Sequence, residues 1–257
     1  SDLVRVFQKY VSKKMKEIFT SFTVKKMATK GKKIRVEMQS DSETKSIDYD
    51  KILVSVGRVP NSDALGLENT KVKIDDKGFI IIDECCETTN ANIFAIGDVA
   101  GGIQLAHKAT KEAKIASSKI LGDPSLSLKD FVIPAVVFTD PEISWVGLTE
   151  KEAKADNISI KISKFPWSAR GRALTLDRTE GLTKVISDPV TGRLLGVGIV
   201  GEHAGDLISE AALAIQSGMT VMDLAETIHP HPTLSESLME SAEHALGLCT
   251  HLTPSKK

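Results

Sequence analysis

Apolar positions follow two regimes along the chain, with the change near residue 122. At the start, Leu3, Val4, Phe7, Val11, Met15 and Ile18 recur at helical spacing, and Ser1 or Asp2 could cap that helix. Short strands are expected over Ser21–Lys26, Lys33–Met38 and Lys45–Tyr49, the first two joined by a turn at Gly31-Lys32. The run Ile52-Leu53-Val54-Ser55-Val56 is apolar almost throughout, as in a strand covered on both faces. A second such run, Ile93-Phe94-Ala95-Ile96, ends at Gly97-Asp98 and leads into a helix over Leu105–Leu121. Gly122-Asp123-Pro124 then interrupts the pattern. Beyond it the spacing predicts an α+β arrangement. Its strands are Ala135–Phe138, Ser159–Phe165, Thr183–Ser187 and Leu194–Val200, and its helices Thr149–Asp156, Gly205–Ser217, Val221–Thr227 and Thr233–Leu246.

Composition narrows the classes. Lys and Arg number 33 against 34 Asp and Glu, a net charge of −1, without the basic excess of a nucleic-acid-binding protein. No apolar run reaches the length of a membrane span, and residues 1–5 do not open a signal-peptide core. A bacterial cytoplasm or an organelle matrix is the expected location. Cys85, Cys86 and Cys249 have neither a disulfide-framework nor a metal-site spacing and are read as reduced thiols.

Three segments carry candidate chemistry. In Ala95-Ile96-Gly97-Asp98, a glycine and an aspartate arrive at the end of an apolar run. The glycine permits close approach of a ring or phosphate, and the aspartate can accept hydrogen bonds from sugar or polyol hydroxyls. The helix that follows, from Gln104-Leu105-Ala106-His107, aims N–H groups at the same place. The bland alternative is an ordinary turn in which Asp98 only caps. The second segment is His229-Pro230-His231-Pro232-Thr233-Leu234-Ser235-Glu236. Pro232 stiffens the loop beside His231, and a carboxylate on one ring nitrogen would leave the other free to take a proton. Thr233 to Glu236 is also capping-box spacing, which would turn Glu236 to the helix start, and His-x-His could chelate a metal, although no further ligand cluster is evident. Third, Gly196-Val197-Gly198-Ile199-Val200-Gly201 matches G-x-G-x-x-G but sits inside an apolar strand after the turn Asp188–Gly192. These glycines are read as hairpin packing rather than a cofactor loop.

Taken together, these motifs resemble the pyridine nucleotide–disulfide oxidoreductases. Thr88, Ile93–Asp98 and Leu105-Ala106-His107-Lys108-Ala109 are similar to that family's second FAD motif, and Val54–Asn61 to the end of its NAD domain. The His-x-His-Pro-Thr-Leu-Ser-Glu run resembles the signature of the dihydrolipoyl dehydrogenases, with glutathione reductases as the alternative. The resemblance implies an acid–base role for His231 with Glu236 as its partner, and a structural role for His229. It further implies FAD contacts from Asp98, Gln104, Leu105, Ala106 and His107, and NAD contacts from Gly57 and Val24.

The fold it implies is α/β and α+β, namely remnants of Rossmann-like NAD- and FAD-binding domains followed by an α+β dimerisation (interface) domain. The expected parts are 1–61 for NAD binding, 62–129 for FAD binding and 130–257 for the interface. The implied activity is oxidation of protein-bound dihydrolipoamide with FAD and NAD. Implied partners are a second copy of the chain and the lipoyl-bearing acyltransferase of a 2-oxoacid dehydrogenase complex. The family's Cys-x4-Cys and first flavin fingerprint would precede Ser1, so the chain alone is expected to be inactive. A reading from another class is a dimerisation and docking module without chemistry of its own.

Overall fold

The computed structural model describes residues 2–123 and 125–252, so the Ser1 cap and Pro124 lie outside the described residues. The chain divides into two compact units, one of Ser12–Val59 and one of Ser1–Val11 with Pro60–Lys257.

In the smaller unit, β1 (Thr23–Lys30), β2 (Lys33–Gln39) and β3 (Thr44–Tyr49) form an antiparallel meander in the order β1-β2-β3. Gly31 turns between β1 and β2 with φ of 62°. Its inward positions are Val36 and Met38. The expected buried strand at 52–56 does not form. Leu53 and Val56 are each 92 % exposed, and no described strand pairs with them. A strand of parallel type is stable only between hydrogen-bonded neighbours, and apolar character cannot replace them.

The larger unit begins with α1 (Asp2–Val11), shorter than the spacing predicts. Met15 and Ile18 are 55 % and 44 % exposed, and a short helical segment persists only where its apolar face is covered. Leu3 is covered, and Asp2 is paired with Lys184 and Lys164 of the main sheet. From 72 to 100 the backbone is irregular, tied by bridges such as Ile82 to Thr88 and Glu87 to Phe94 rather than by a regular strand. Ala95 is buried there and its N–H donates to the Cys86 carbonyl. The two short apolar clusters around Ile80 and Ile115 close over this segment, with α2 (Ala106–Ile120) packed along it. All three cysteines are free, and burial pushes the Cys86 thiol up to about 11, so it stays protonated at neutral pH.

The main core lies after residue 132. Five antiparallel strands run β4 (Ala135–Val137), β5 (Glu142–Gly147), β8 (Leu194–Gly201), β7 (Leu182–Ser187) and β6 (Lys161–Pro166), in that spatial order. Helix α3 (Glu150–Ala155) opens with a full capping box from Thr149 and Glu152, and α4 (Gly171–Thr175) follows a 3-10 turn at Trp167–Ala169. Helix α5 (Ala204–Gln216) packs on β5 and β8, and α7 (Glu236–Leu246) on β6 and β7, with α6 (Val221–Glu226) against α7. Leu234, Leu238 and Ala242 belong to this core, with Leu246 packed against it.

The G-x-G-x-x-G stretch is strand β8 of an antiparallel hairpin, as read from the turn at Asp188–Gly192. Val197 and Ile199 point to the helices, so Gly196 and Gly198 face the other side. A Cβ on Gly196 would lie 2.0 Å from the Leu148 carbonyl oxygen, and one on Gly198 2.6 Å from Leu3. These glycines admit close backbone and helix approach.

Gly196→Ala is therefore expected to destabilise this unit by about 1–3 kcal/mol, since backbone must move to admit the methyl. Urea denaturation followed by circular dichroism would read it, and an unchanged midpoint would remove the packing role of this glycine.

Candidate active site

The loop 229–235 lies at the N-terminal end of α7, and its two histidines face different surroundings. The His229 side chain is only 4 % exposed. Its Nδ1–H donates to the Thr227 carbonyl at 2.8 Å and its Nε2 lies 2.6 Å from Glu210 Oε1. Both partners accept, so both ring nitrogens carry hydrogen. The Glu210 carboxylate raises the pKa of His229 above the usual imidazole range, against the opposing effect of burial and with help from Thr227.

His231 is the reverse case, with a side chain 71 % exposed. Its Nδ1 lies 3.0 Å from Glu236 Oε1. A carboxylate accepts, so the hydrogen sits on Nδ1 and Nε2 is left with its lone pair outward, the tautomer a general base needs. Glu236 also binds the helix start, because its Oε2 accepts the Thr233 N–H at 2.7 Å. Capping and histidine pairing, alternatives in the sequence, are divided between the two carboxylate oxygens. The helix itself begins at Glu236, three residues later than expected. Residues 233–235 are held by side-chain bonds, with Thr233 Oγ1 donating to the Pro230 carbonyl at 2.8 Å.

One member of the site was not anticipated. Arg170, 2 % exposed, donates from Nη2 to Glu236 Oε1 at 2.7 Å and from Nη1 to Glu240 Oε1. Burial by itself would raise the Glu236 pKa. The Thr233 N–H, His231 and the Arg170 charge overcome that and hold it below the usual carboxylate range. The signal for a hidden cation was there: Glu236 and Glu240 lie one turn apart on the face of α7 that also carries apolar core residues.

The second candidate cluster lies at the start of α2. Gly97, with φ of 77°, leads a short 3-10 turn, Gly97–Ala100, that carries Asp98 on the surface. A Cβ on Gly97 would lie 3.4 Å from Ala109, so the turn sits against the first turns of α2. Glu112 Oε2 accepts the Gly97 N–H at 2.7 Å, while Lys108 pairs with Glu112 and donates to the Gly101 carbonyl at 3.0 Å. Both side chains are buried, an ion pair that sequence reading passed over. Leu105 precedes the helix without a side-chain cap, and the first residues of α2 border a groove of about 660 Å3. Leu105, Ala106, His107, Phe131, Pro134 and Phe138 line it. His107 Nε2–H donates to the Pro134 carbonyl at 2.7 Å, fixing that ring. Gln104 lies just ahead of Leu105, half-buried. The structure thus sets the turn that carries Asp98 against α2, lines one groove with Leu105, Ala106 and His107, and pairs His231 with Glu236. Val24, on β1 and 53 % exposed, and Gly57, with φ of 126°, lie in the smaller unit.

Residues 133–242 match the pyridine nucleotide-disulphide oxidoreductase dimerisation domain, and residues 1–113 match the pyridine nucleotide-disulphide oxidoreductase family. The chain belongs to this family. It is 45 % identical over 251 residues to a dihydrolipoyl dehydrogenase of Geobacillus stearothermophilus, covering 97 % of this chain and 53 % of the relative. It is 51 % identical over 213 residues to that of Thermus scotoductus, covering 83 % and 46 %. Among solved structures it resembles LpdA of Mycobacterium tuberculosis, with a TM-score of 0.86 and 27 % identity over 95 % of this chain and 52 % of that one. It is equally similar to the HOCl-induced flavoprotein disulfide reductase RclA of Escherichia coli, with a TM-score of 0.86 and 27 % identity over 95 % and 55 %. The chain spans about half the length of the curated relatives it matches.

The His229 pair makes stability depend on pH. Its folded pKa is raised, so the stabilisation is complete below the unfolded value of about 6.5 and is lost as pH rises through the folded pKa. Glu210→Gln is expected to cost about 1.5–3 kcal/mol at pH 6, with the gap to the parent closing in alkali. Urea midpoints at pH 6 and pH 9 would check it, and a gap independent of pH would contradict it.

Proposed function

We propose that this chain contributes the acid–base pair of a dihydrolipoyl dehydrogenase, within a polypeptide or complex that supplies the family's redox disulfide. The observation carrying this is the His231–Glu236 pair: a carboxylate 7 % exposed on Nδ1 of an imidazole whose Nε2 is open to solvent. Relatives bearing that enzyme's name, 44–51 % identical in three cases, support the substrate class.

In this reading the Nε2 lone pair of His231 takes the proton from one thiol of dihydrolipoamide. The S–H bond breaks, and the sulfur, now a thiolate, attacks one sulfur of the disulfide while the other leaves as a thiolate. Glu236, held ionised, stabilises the imidazolium and keeps the ring from turning. His229 takes no part, since both its nitrogens are engaged.

The residues at the start of α2 fit FAD. Their groove falls within the ~300–1,000 Å3 typical of ligand clefts, its walls are largely apolar, and the uncapped helix start favours a ring that gains negative charge. Asp98 would receive the ribityl hydroxyls, and backbone at Gln104, Leu105, Ala106 and His107 would lie along the ring. Bound flavin supplies the electron path between dithiol and nicotinamide. Val24 and Gly57 would contact NAD in the smaller unit. In the companion reading the chain is a dimerisation and docking module, which the match to the dimerisation domain favours. The exposed apolar side chains Leu213, Met222 and Ile228 supply surface that a second copy would cover. The acyltransferase of a 2-oxoacid dehydrogenase complex is the proposed larger partner.

His231→Gln in the protein supplied with the rest of the family's length is expected to slow dihydrolipoamide oxidation about 10²–10⁴-fold while the flavin absorbance band is retained. Near-parental turnover would sink the assignment. The 257-residue chain should sediment at twice its 27.8 kDa mass, and a monomer at tens of micromolar would refute the pairing.

A further inference from the structure

Arg170 arrives beneath α7 by a specific route. The 3-10 turn Trp167–Ala169 follows β6, and the fully buried Trp167 fixes it through Nε1–H to Thr183 Oγ1 at 2.9 Å. Thr183 Oγ1 is in turn 2.8 Å from Ser237 Oγ on α7, so turn, strand β7 and helix are tied together. Arg170 N–H donates to the Trp167 carbonyl at 2.9 Å, and its side chain then runs under the helix. There it meets two carboxylates, Glu236 at 5 % and Glu240 at 2 % exposure. Among the described residues its Nε has no partner, and the guanidinium is placed by its two terminal nitrogens, one for each carboxylate.

The surrounding charges come from several elements. Glu240 also accepts from His251 Nδ1 at 2.7 Å and from the Cys249 thiol at 3.8 Å, both beyond the end of α7. Glu243 lies on the same helix, and burial first, then Glu240, raises its pKa. His229, paired with Glu210 of α5, approaches Glu236 from the loop side. His244, on α7, faces Ser163 of β6 at 3.1 Å.

Two carboxylates one turn apart and out of water do not both stay ionised without a cation between them. The oxygen of Glu236 that receives the His231 Nδ1–H is the same oxygen that receives Arg170 Nη2. A proton on that oxygen would turn it from acceptor to donor and break the pairing. We propose that Arg170 is a positioning residue for the His231–Glu236 pair, its guanidinium shared between Glu236 and Glu240 so that Glu236 stays ionised and turned to His231. This rests on reading that pair as the acid–base machinery. An arginine is suited to the task because its planar fork spans two acceptors, which a single ammonium cannot do.

The test is a carbon-13 carboxyl titration of the 257-residue chain carrying labelled glutamate, with the Glu236 signal assigned by its loss in E236Q. In folded Arg170→Met the Glu236 pKa is expected to rise by at least one unit, a tenfold change in proton affinity. Arg170→Lys keeps the charge without the bridge and should give a smaller rise. A folded Arg170→Met whose Glu236 titrates as in the parent overturns the proposal. Should that variant not fold, an unchanged Glu236 titration in Arg170→Lys does the same. A purely structural arginine would lower the thermal midpoint and leave the titration in place. Turnover of His231→Gln tests the acid–base reading separately, so either can fail without the other.

Discussion

Glu236 is a carboxylate almost entirely out of water, and an ion in that position costs several kcal/mol unless donors replace its hydration. Three donors do so here, two from the loop ahead of α7 and one from the turn after β6. The Thr233 N–H comes from the loop ahead of α7, the Nδ1–H from His231, and the guanidinium from the turn after β6. The loop path, the first turn of the helix and a turn 66 residues away in sequence (Arg170 to Glu236) are therefore linked through one carboxylate. Displacing any of the three leaves the other two facing a poorly compensated charge. The Trp167–Thr183–Ser237 chain of hydrogen bonds gives this arrangement its foundation in the core, since it joins the arginine's turn and the helix to the same strand.

The pairing also explains how one short run holds two histidines with opposite chemistry. His229 is enclosed and spends both nitrogens, one on a carbonyl and one on Glu210. His231 spends one nitrogen on a buried carboxylate and offers the other to solvent. A base needs that asymmetry: an anchor rigid enough to define the tautomer, and a reactive atom a substrate can reach. His-x-His spacing places two imidazoles on one side of an extended chain, but it carries no record of which carboxylate waits behind each. Spacing alone favoured the capping box for Glu236 and offered a metal no further ligand cluster, and it was the resemblance to the dihydrolipoyl dehydrogenase signature that pointed to an acid–base pair.

The elements after residue 132 were largely legible because they obey simple rules. Thr149–Glu152 is a capping box, the helices carry apolar stripes, and the Asp188–Gly192 turn joins two antiparallel strands buried almost throughout. Strand β5 escaped notice for a physical reason: its pattern is inverted. Ser144 is fully buried, its hydroxyl donating to the Ala204 carbonyl, while Trp145 is left partly exposed. Alternation cannot be read where a buried position is polar and its partner lies 60 residues on. Arg170 escaped for a similar reason, since nothing local distinguishes it from Arg172 two residues later. Residues 52–56 and 93–96 failed in the opposite sense. They have the composition of doubly covered strands, but a strand is made by its neighbours, and only isolated bridges serve the second run.

That last failure bears on how Asp98 can still be placed. Without a regular strand behind it, the Gly97–Ala100 turn takes its position from the helix that follows. Glu112, one helical turn beyond Lys108, reaches back to the Gly97 N–H, and Lys108 holds both that carboxylate and the Gly101 carbonyl. On a surface such an i,i+4 pair is worth only a few tenths of a kcal/mol. Here neither side chain meets solvent, so breaking the pair would strand an unpaired charge beneath the turn. The same logic therefore operates at both candidate sites. In each, a buried glutamate matched by a buried cation lies beneath an exposed polar side chain: Glu112 with Lys108 holds the backbone of the turn that carries Asp98, and Glu236 with Arg170 holds the His231 ring. At both sites the ion pair beneath supplies the geometry.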